Sequence, residues 1–362
     1  MYKNLTLTNF RGFRRFTMEN LGRINLLVGT NNCGKTTVLE AIKVLADYPD
    51  PTILGVISVR RGAVQFPGDA ESEDDGRIAL RHLFFGHKVQ IGTQFVIEGQ
   101  QEAEHPRVSV RLTDRPQSLP GALRPEVSKD LLWLVINKEG SDAPAGHSVQ
   151  LTSDAEWPIR DFADRRRLVL GRFHVAQVQS GGLSGSAIAE EMSAIALNPE
   201  EQMVLQVLRI LSPDIEGVTT VSVPRDLVFR RDRLGIYVKL KGQRERVPIG
   251  TLGDGLWRLL GLALALVKAR GSVLLVDEIE IGLHYTAQVD MWRMVKQAAE
   301  ELDVQVFATT HSRDCILALA AIARPDVTTG SEVTIQRIEG ERAISYSERE
   351  IVLAAERGIE VR

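Results

Sequence analysis

The chain has 362 residues, 44% hydrophobic and 25% charged, and its 44 basic against 47 acidic side chains leave a net charge of −3. That balance excludes collagenous, disordered and disulfide-scaffold chains, and it builds in no global attraction to nucleic acid or anionic membrane. The longest apolar run, Leu259 to Val267, stops at Lys268, well short of the ~20 residues a spanning helix needs.

The N-terminus carries no export signal, and Cys33 and Cys315 stand in unrelated contexts with no metal-ligand spacing, so a cytoplasmic protein is expected. The length predicts one large domain with an insertion, or two domains. Leu5, Leu7 and Phe10 lead into a turn at Arg11-Gly12, and Ile24–Val28 reads as a buried strand ending at Gly29. After Gly34 a helix places Val38, Leu39, Ile42 and Leu45 on one face, closed by Pro49 and Pro51.

From about 55 to 150 the pattern shortens to strand-like pieces such as Val89–Ile97, which predicts an antiparallel β layer; Pro116, Pro120, Pro125, Pro144 and Pro158 break up the 115–170 region. Ser186–Leu211 turns helical with a break at Asn198-Pro199, after a glycine- and serine-rich loop from Gln179. Leu227–Phe229 and Ile236–Leu240 suggest a hairpin. Gly255–Arg270 is a helix stopped by Gly271, and Ser272–Val276 a strand running into Asp277. Thr286–Leu302 is a helix with Met291, Val295, Ala298 and Leu302 on one stripe; Val304–Thr310 is a strand, and a helix follows Ser312. Strand and helix alternating from 255 to 323 call for a parallel sheet whose ligands bind at the carboxyl ends of its strands. Two charge patches stand out. Asp69, Glu71, Glu73, Asp74 and Asp75 read as a solvated loop, and the eight basic residues between Arg225 and Arg246 as the solvent faces of a hairpin.

Three motifs carry chemistry. Gly29-Thr30-Asn31-Asn32-Cys33-Gly34-Lys35-Thr36 sits between a strand and a helix and matches the glycine-rich loop whose amides and helix start cradle polyphosphate. Lys35 would reach the β and γ phosphates, and the Thr36 hydroxyl would ligate Mg²⁺. A second apolar strand, Val273–Val276, ends in Asp277, suited to the metal, and Glu278, suited to orient or deprotonate the attacking water. A third, Val306–Thr310, ends in His311, placed to hydrogen-bond the γ-phosphate and report its loss.

These residues resemble the ABC-type P-loop ATPases, in the branch containing RecF, the SMC proteins and the overcoming-lysogenization-defect (OLD) nucleases, also grouped as AAA-family ATPases. The resemblance covers Met1 to about Tyr48, Val247 to about Ala323 and Gly358–Arg362, through Asn9-Phe-Arg-Gly-Phe13, Asn25-Leu-Leu-Val-Gly-Thr-Asn-Asn32, Leu252-Gly-Asp-Gly255, Asp277-Glu-Ile-Glu-Ile-Gly-Leu-His284 and Thr309-Thr-His-Ser312. It implies an ABC-type head: a mixed, largely parallel central sheet, an antiparallel β layer and a short helical insertion. The expected lobes are 1–175, 176–225 and 226–362. It also implies ATP and Mg²⁺ as ligands, with Gly29, Asn31, Asn32, Cys33, Gly34, Lys35, Thr36 and Thr37 around the phosphates and Arg11 near the nucleotide. Thr36 and Asp277 would hold the metal, and Glu278, His311 and Lys35 would carry catalysis. In such ATPases two copies sandwich the nucleotide, so Gly253, Asp254 and Gly255 would act in trans, with Glu280–His284 crossing the dimer axis. Gly253 stands where many relatives place a serine, so one hydroxyl is missing from that contact. The γ-phosphate-sensing glutamine is Gln94, Gln177 or Gln179.

The 186–211 insertion is too short for SMC-type arms and is broken by Pro199. Too few residues follow His311 for a Toprim nuclease domain, and no Asp-x-Asp cluster lies among them. The expectation is a stand-alone ATPase whose ATP-driven homodimer closure regulates a separately encoded effector, such as a Toprim-like nuclease or toxin, in bacterial anti-phage defence. The rival readings are a RecF-type ATPase that clamps DNA through the 225–246 stretch, and a low-turnover nucleotide-sensing scaffold.

Overall fold

The computed structural model describes residues 1–47, 50–66, 75–114, 132–139, 145–169, 175–180, 184–223, 233–323 and 332–362. The strands β1 to β9 are Asn4–Phe10, Phe13–Met18, Ile24–Val28, Val64–Gln65, Arg77–Ala79, Gln94–Gln100, Arg107–Thr113, Leu132–Glu139 and Ala145–Leu151. β10 to β18 are Glu156–Pro158, Ala176–Val178, Ile215–Val223, Arg233–Leu240, Val247–Pro248, Val273–Val276, Gln305–Thr309, Val333–Glu339 and Arg342–Tyr346. The helices α1 to α9 are Lys35–Ala46, Thr52–Arg60, Ile159–Val169, Gly185–Ile195, Pro199–Leu211, Asp254–Lys268, Tyr285–Glu301, Arg313–Ile322 and Glu348–Glu356. None of these helices is long and apolar enough to cross a membrane. Contacts divide the chain into two compact units, each discontinuous in sequence: Met1–Leu21, Asn31–His174 and Ile338–Ser345 form the first, and Gly22–Thr30, Val175–Arg337 and Tyr346–Arg362 the second.

In the first unit the strands lie in the order β18-β2-β1-β6-β7-β8-β9. β6 to β9 form the expected antiparallel layer, and α1 packs on β6 and β7. Val38, Leu39, Ile42 and Leu45 are at most 2% exposed, so the helix buries the face its spacing predicts. One strand lies where the sequence shows no clear pattern, and one segment departs from the sequence expectation. Phe13–Met18 is a strand, antiparallel to β1 through Phe10↔Phe13; its adjacent exposed Arg14 and Arg15 break the alternation that would have revealed it. Thr52–Arg60, expected to be strand-like from residue 55, is helical. Its β-branched residues suit a strand locally, but it is buried on nearly every side and Asp50 Oδ1 accepts the Thr52 N–H at 2.8 Å, so tertiary context outweighs propensity. Pro49, Pro116, Pro120, Pro125, Pro144, Asp69, Glu71, Glu73 and Asp74 lie outside the described residues.

In the second unit β11-β15-β16-β3-β17 are neighbours and pair in parallel throughout. β3, β15 and β16 are buried at every residue, the continuous apolar signature of strands covered on both faces. α4 and α5 split at the expected break because Pro199 takes the first helical position, where its missing N–H costs nothing. α6 packs against α4, α5 and α7. β13 pairs with β12; residues 227–229, expected as the other arm of a hairpin with 236–240, and the basic residues Arg225, Arg230 and Arg231 lie outside the described residues.

Candidate functional site

The glycine-rich loop opens in the second unit with Gly29 and Thr30, and the chain passes into the first at Asn31. Its backbone takes left-handed values at Asn32 (φ 62°) and Gly34 (φ 105°), and Gly29 adopts φ 141°. Asparagine tolerates that region through its short polar side chain, while Gly34 has no substitute: a Cβ there would fall 2.3 Å from Phe13 Cζ and 2.8 Å from its Cε2. Left-handed residues in a tight turn help successive amides face one concavity, which suits an anion. Gly34 immediately precedes α1, where no side chain caps the helix and no acid occupies the first turn, so the positive end of the helix dipole is undiminished. Lys35, 6% exposed, opens α1 with its Nζ 3.8 Å from Cys33 Sγ. Arg11 is engaged within the first unit. Its Nε lies 2.7 Å from Glu40 Oε2, Arg61 takes the other oxygen at 2.8 Å, and burial lowers the Arg11 pKa.

The second unit gathers the strand tips. The registers Val276↔Ala308 and Thr309↔Leu27 set β15, β16 and β3 side by side at matched heights. Neighbouring strands lie about 4.8 Å apart. Asp277, His311 and Gly29 thus follow three adjacent strand ends, within about 10 Å across the sheet by that spacing. Thr309 ties the tips together: its Oγ1 donates to Asp277 Oδ1 at 2.6 Å and accepts the Glu278 N–H at 2.8 Å, while its carbonyl accepts the Ile279 N–H at 3.1 Å. Glu278 itself has φ 50°, a conformation costing a non-glycine residue about 1–2 kcal/mol, and these bonds hold it there. Glu280 Oε1 accepts the His311 N–H at 3.2 Å, and the His311 carbonyl accepts from Arg362 Nη1 at 3.2 Å. The His311 side chain is exposed.

The Leu252–Gly255 loop also belongs to the second unit. A short 3₁₀ turn, Ile249–Leu252, leads to Gly253 at φ 96°, exposed, and then to α6, which starts at Asp254. A Cβ on Gly255 would meet Leu283 Cδ2 at 3.6 Å, so the loop sits beside the 280–284 segment of the same chain. Of the candidate glutamines, Gln177 and Gln179 lie in and just after β11, beside β15, whereas Gln94 opens β6 in the first unit. Sequence reasoning missed Thr309, Glu280 as a partner of His311, and Arg258. The Arg258 signal was visible, since it is the single charge in the otherwise apolar Leu256–Val267 stretch.

Residues 182–317 match a family described as "AAA domain, putative AbiEii toxin, Type IV TA system", and residues 1–116 match an "AAA ATPase domain". An ATP/GTP phosphatase of Helicobacter pylori is 20% identical over 349 residues, covering 90% of this chain and 89% of that protein. The DNA replication and repair protein RecF of Clostridioides difficile is 46% identical over 44 residues, 12% of each chain. The solved SMC head domain from Thermotoga maritima is similar at 16% identity, with a TM-score of 0.48, over 96% of this chain and 98% of that one. With its glycine-rich loop and acid-tipped parallel strand, the chain is similar to AAA-type ATPase domains over residues 1–116 and 182–317, and it is an enzyme that hydrolyses ATP.

Proposed function

We propose that this ATPase hydrolyses ATP between two copies of itself and uses the cycle to control a separately encoded partner. The observation that carries the reading is the alignment of Gly29, Asp277-Glu278 and His311 on adjacent parallel strand tips. The amides of Asn31 to Thr37 would cradle the phosphates, with Lys35 on the β and γ groups. Among the described residues no cluster of three or more His, Cys, Asp or Glu side chains could cage a metal. The Thr36 hydroxyl and the Asp277 carboxylate would hold Mg²⁺, which is usually bound by one or two protein oxygens together with substrate phosphates and waters. When bound, Mg²⁺ would neutralise charge developing on the phosphates. Glu278 then orients and deprotonates water, and His311 senses the γ-phosphate. Gly253, Asp254 and Gly255 would approach the partner's nucleotide through backbone amides at the start of α6, with Glu280–His284 along the dimer axis. Arg11 would contribute through the ion-paired wall it builds with Glu40 beside the loop helix.

The description of the 182–317 match names a putative toxin of a Type IV TA system, which supports a place in a toxin system; regulation of a separate effector in anti-phage defence is the further step of this proposal. A second reading, a DNA-clamping ATPase, is favoured by the RecF match and expects binding that falls steeply with salt. The test of the enzymatic core is Glu278→Gln beside Lys35→Ala. The first should keep ATP binding and lose turnover by at least about 100-fold, and the second should lose binding. Wild-type hydrolysis by Glu278→Gln would overturn the assignment of the base.

A further inference from the structure

Arg258 lies on α6, one turn beyond the Gly253–Gly255 loop, so helix geometry puts its Cα about 4.5–5 Å along from that of Gly255. Its guanidinium reaches two backbone carbonyls at the ends of neighbouring parallel strands: Nη2 donates to Glu278 O at 3.3 Å and Nη1 donates to Gln179 O at 3.5 Å. The first acceptor belongs to the residue held at φ 50°, so the bond acts directly on the peptide that aims the Glu278 carboxylate. The side chain is half-buried. Burial pushes its pKa down, and the nearby Glu280 and Glu278 charges partly restore it. A guanidinium suits this place because its fixed fork spans two acceptors at once, which a lysine ammonium on a flexible stem does not. Both bonds are longer than the usual 2.9–3.0 Å, which leaves them room to tighten if α6 shifts toward the strand tips.

We propose that Arg258 is a positioning residue that carries the engagement of the Leu252–Gly255 loop by a second copy of the chain to the Glu278 peptide, so that hydrolysis follows dimer closure. This rests on the reading that Glu278 activates water and that the loop acts in trans. The coupling runs through one rigid element: a phosphate drawn onto the start of α6 displaces the same helix that holds the guanidinium. The link to Gln179 extends it to the glutamine-bearing end of β11, the edge strand next to β15.

The experiment uses the full chain with ATP and Mg²⁺, and compares Arg258→Ala, Arg258→Gln and Arg258→Lys with the parent. Expected for Ala and Gln are unchanged KM, unchanged sedimentation as a dimer with a non-hydrolysable ATP analogue, and a kcat at least about tenfold lower, the loss of roughly one charge-assisted hydrogen bond. The lysine variant should fall between, since it can satisfy one carbonyl but not both. Wild-type kcat in Arg258→Ala overturns the inference. So does a loss of dimerisation or nucleotide affinity in step with kcat, or failure of both neutral variants to fold, since each marks a purely structural role. If Glu278→Gln is inactive while Arg258→Ala turns over normally, only this inference falls. If Glu278→Gln hydrolyses at the parent rate, the reading beneath it falls as well.

Discussion

Replacing Thr309 by valine tests whether the strand tips are held by the hydroxyl that joins them. Thr309 is 1% exposed, and valine has nearly its shape, so the substitution swaps a hydroxyl for a methyl with little change in packing. Two hydrogen bonds go: the donation to Asp277 Oδ1 at 2.6 Å and the acceptance of the Glu278 N–H at 2.8 Å. A bond to a carboxylate is worth about 1.5–3 kcal/mol and a neutral one about 0.5–1.5 kcal/mol, a gross loss of about 2–4.5 kcal/mol. Asp277 is only partly buried, and water will recover some of its share, so about 2 kcal/mol of destabilisation is expected. Losing the tether on Glu278 alone corresponds to up to about a tenfold fall in kcat. Thr309→Ser keeps the hydroxyl and loses a methyl, so it should cost about 1 kcal/mol in stability while keeping kcat close to the parent value. Equilibrium urea unfolding followed by circular dichroism, with steady-state ATPase assays, reads both numbers. The reasoning fails if the valine and serine variants share the same kcat, or if valine is as stable as threonine.

Gly34→Ala forces a Cβ into φ 105° and onto the Phe13 ring; a loss of at least about 2 kcal/mol is expected, seen as roughly 30-fold weaker binding of a fluorescent nucleotide or as a lowered melting temperature. At Asp50, burial alone would raise the pKa. The Arg165 guanidinium, at 2.8 Å from Oδ2, and the Thr52 N–H outweigh it and hold the carboxyl below its ordinary value. Its stabilisation is therefore complete above the unfolded pKa of about 3.9 and is lost as the pH falls through the lower folded value. Asp50→Asn should lose about 2–3 kcal/mol at pH 7 and show a flatter decline of urea stability below about pH 4 than the parent; parallel declines would show that this pair does not titrate with folding.

What the sequence made legible was the part of the fold in which burial writes a local pattern. β3, β15 and β16 are buried on both faces, so each appears as an unbroken apolar run, and the residues that end the runs, Gly29, Asp277 and His311, are the ones with chemistry to offer. The α4–α5 break was equally plain because proline at a first helical position is a local rule. β2 and α2 were hidden, the first by paired exposed arginines and the second because a helix buried on nearly all sides has no stripe to show.

The geometry of the site was out of reach for a different reason. Asp277 meets Thr309 only because β15 and β16 pair with Val276 opposite Ala308, and the register between strands some thirty positions apart leaves no mark on either segment. The backbone of Glu278 is the clearest case. Val-Asp-Glu-Ile reads locally as a strand running on, and nothing in a glutamate side chain favours φ 50°. That conformation persists because Thr309 and Arg258 bond the two peptides that flank its Cα, at the N–H and the carbonyl of Glu278, from β16 and α6. A residue that breaks the local rule while two separate elements are committed to holding it marks where the fold accepts strain for chemistry. The cost at Glu278 is therefore an argument for its role that the Asp-Glu motif alone could not supply.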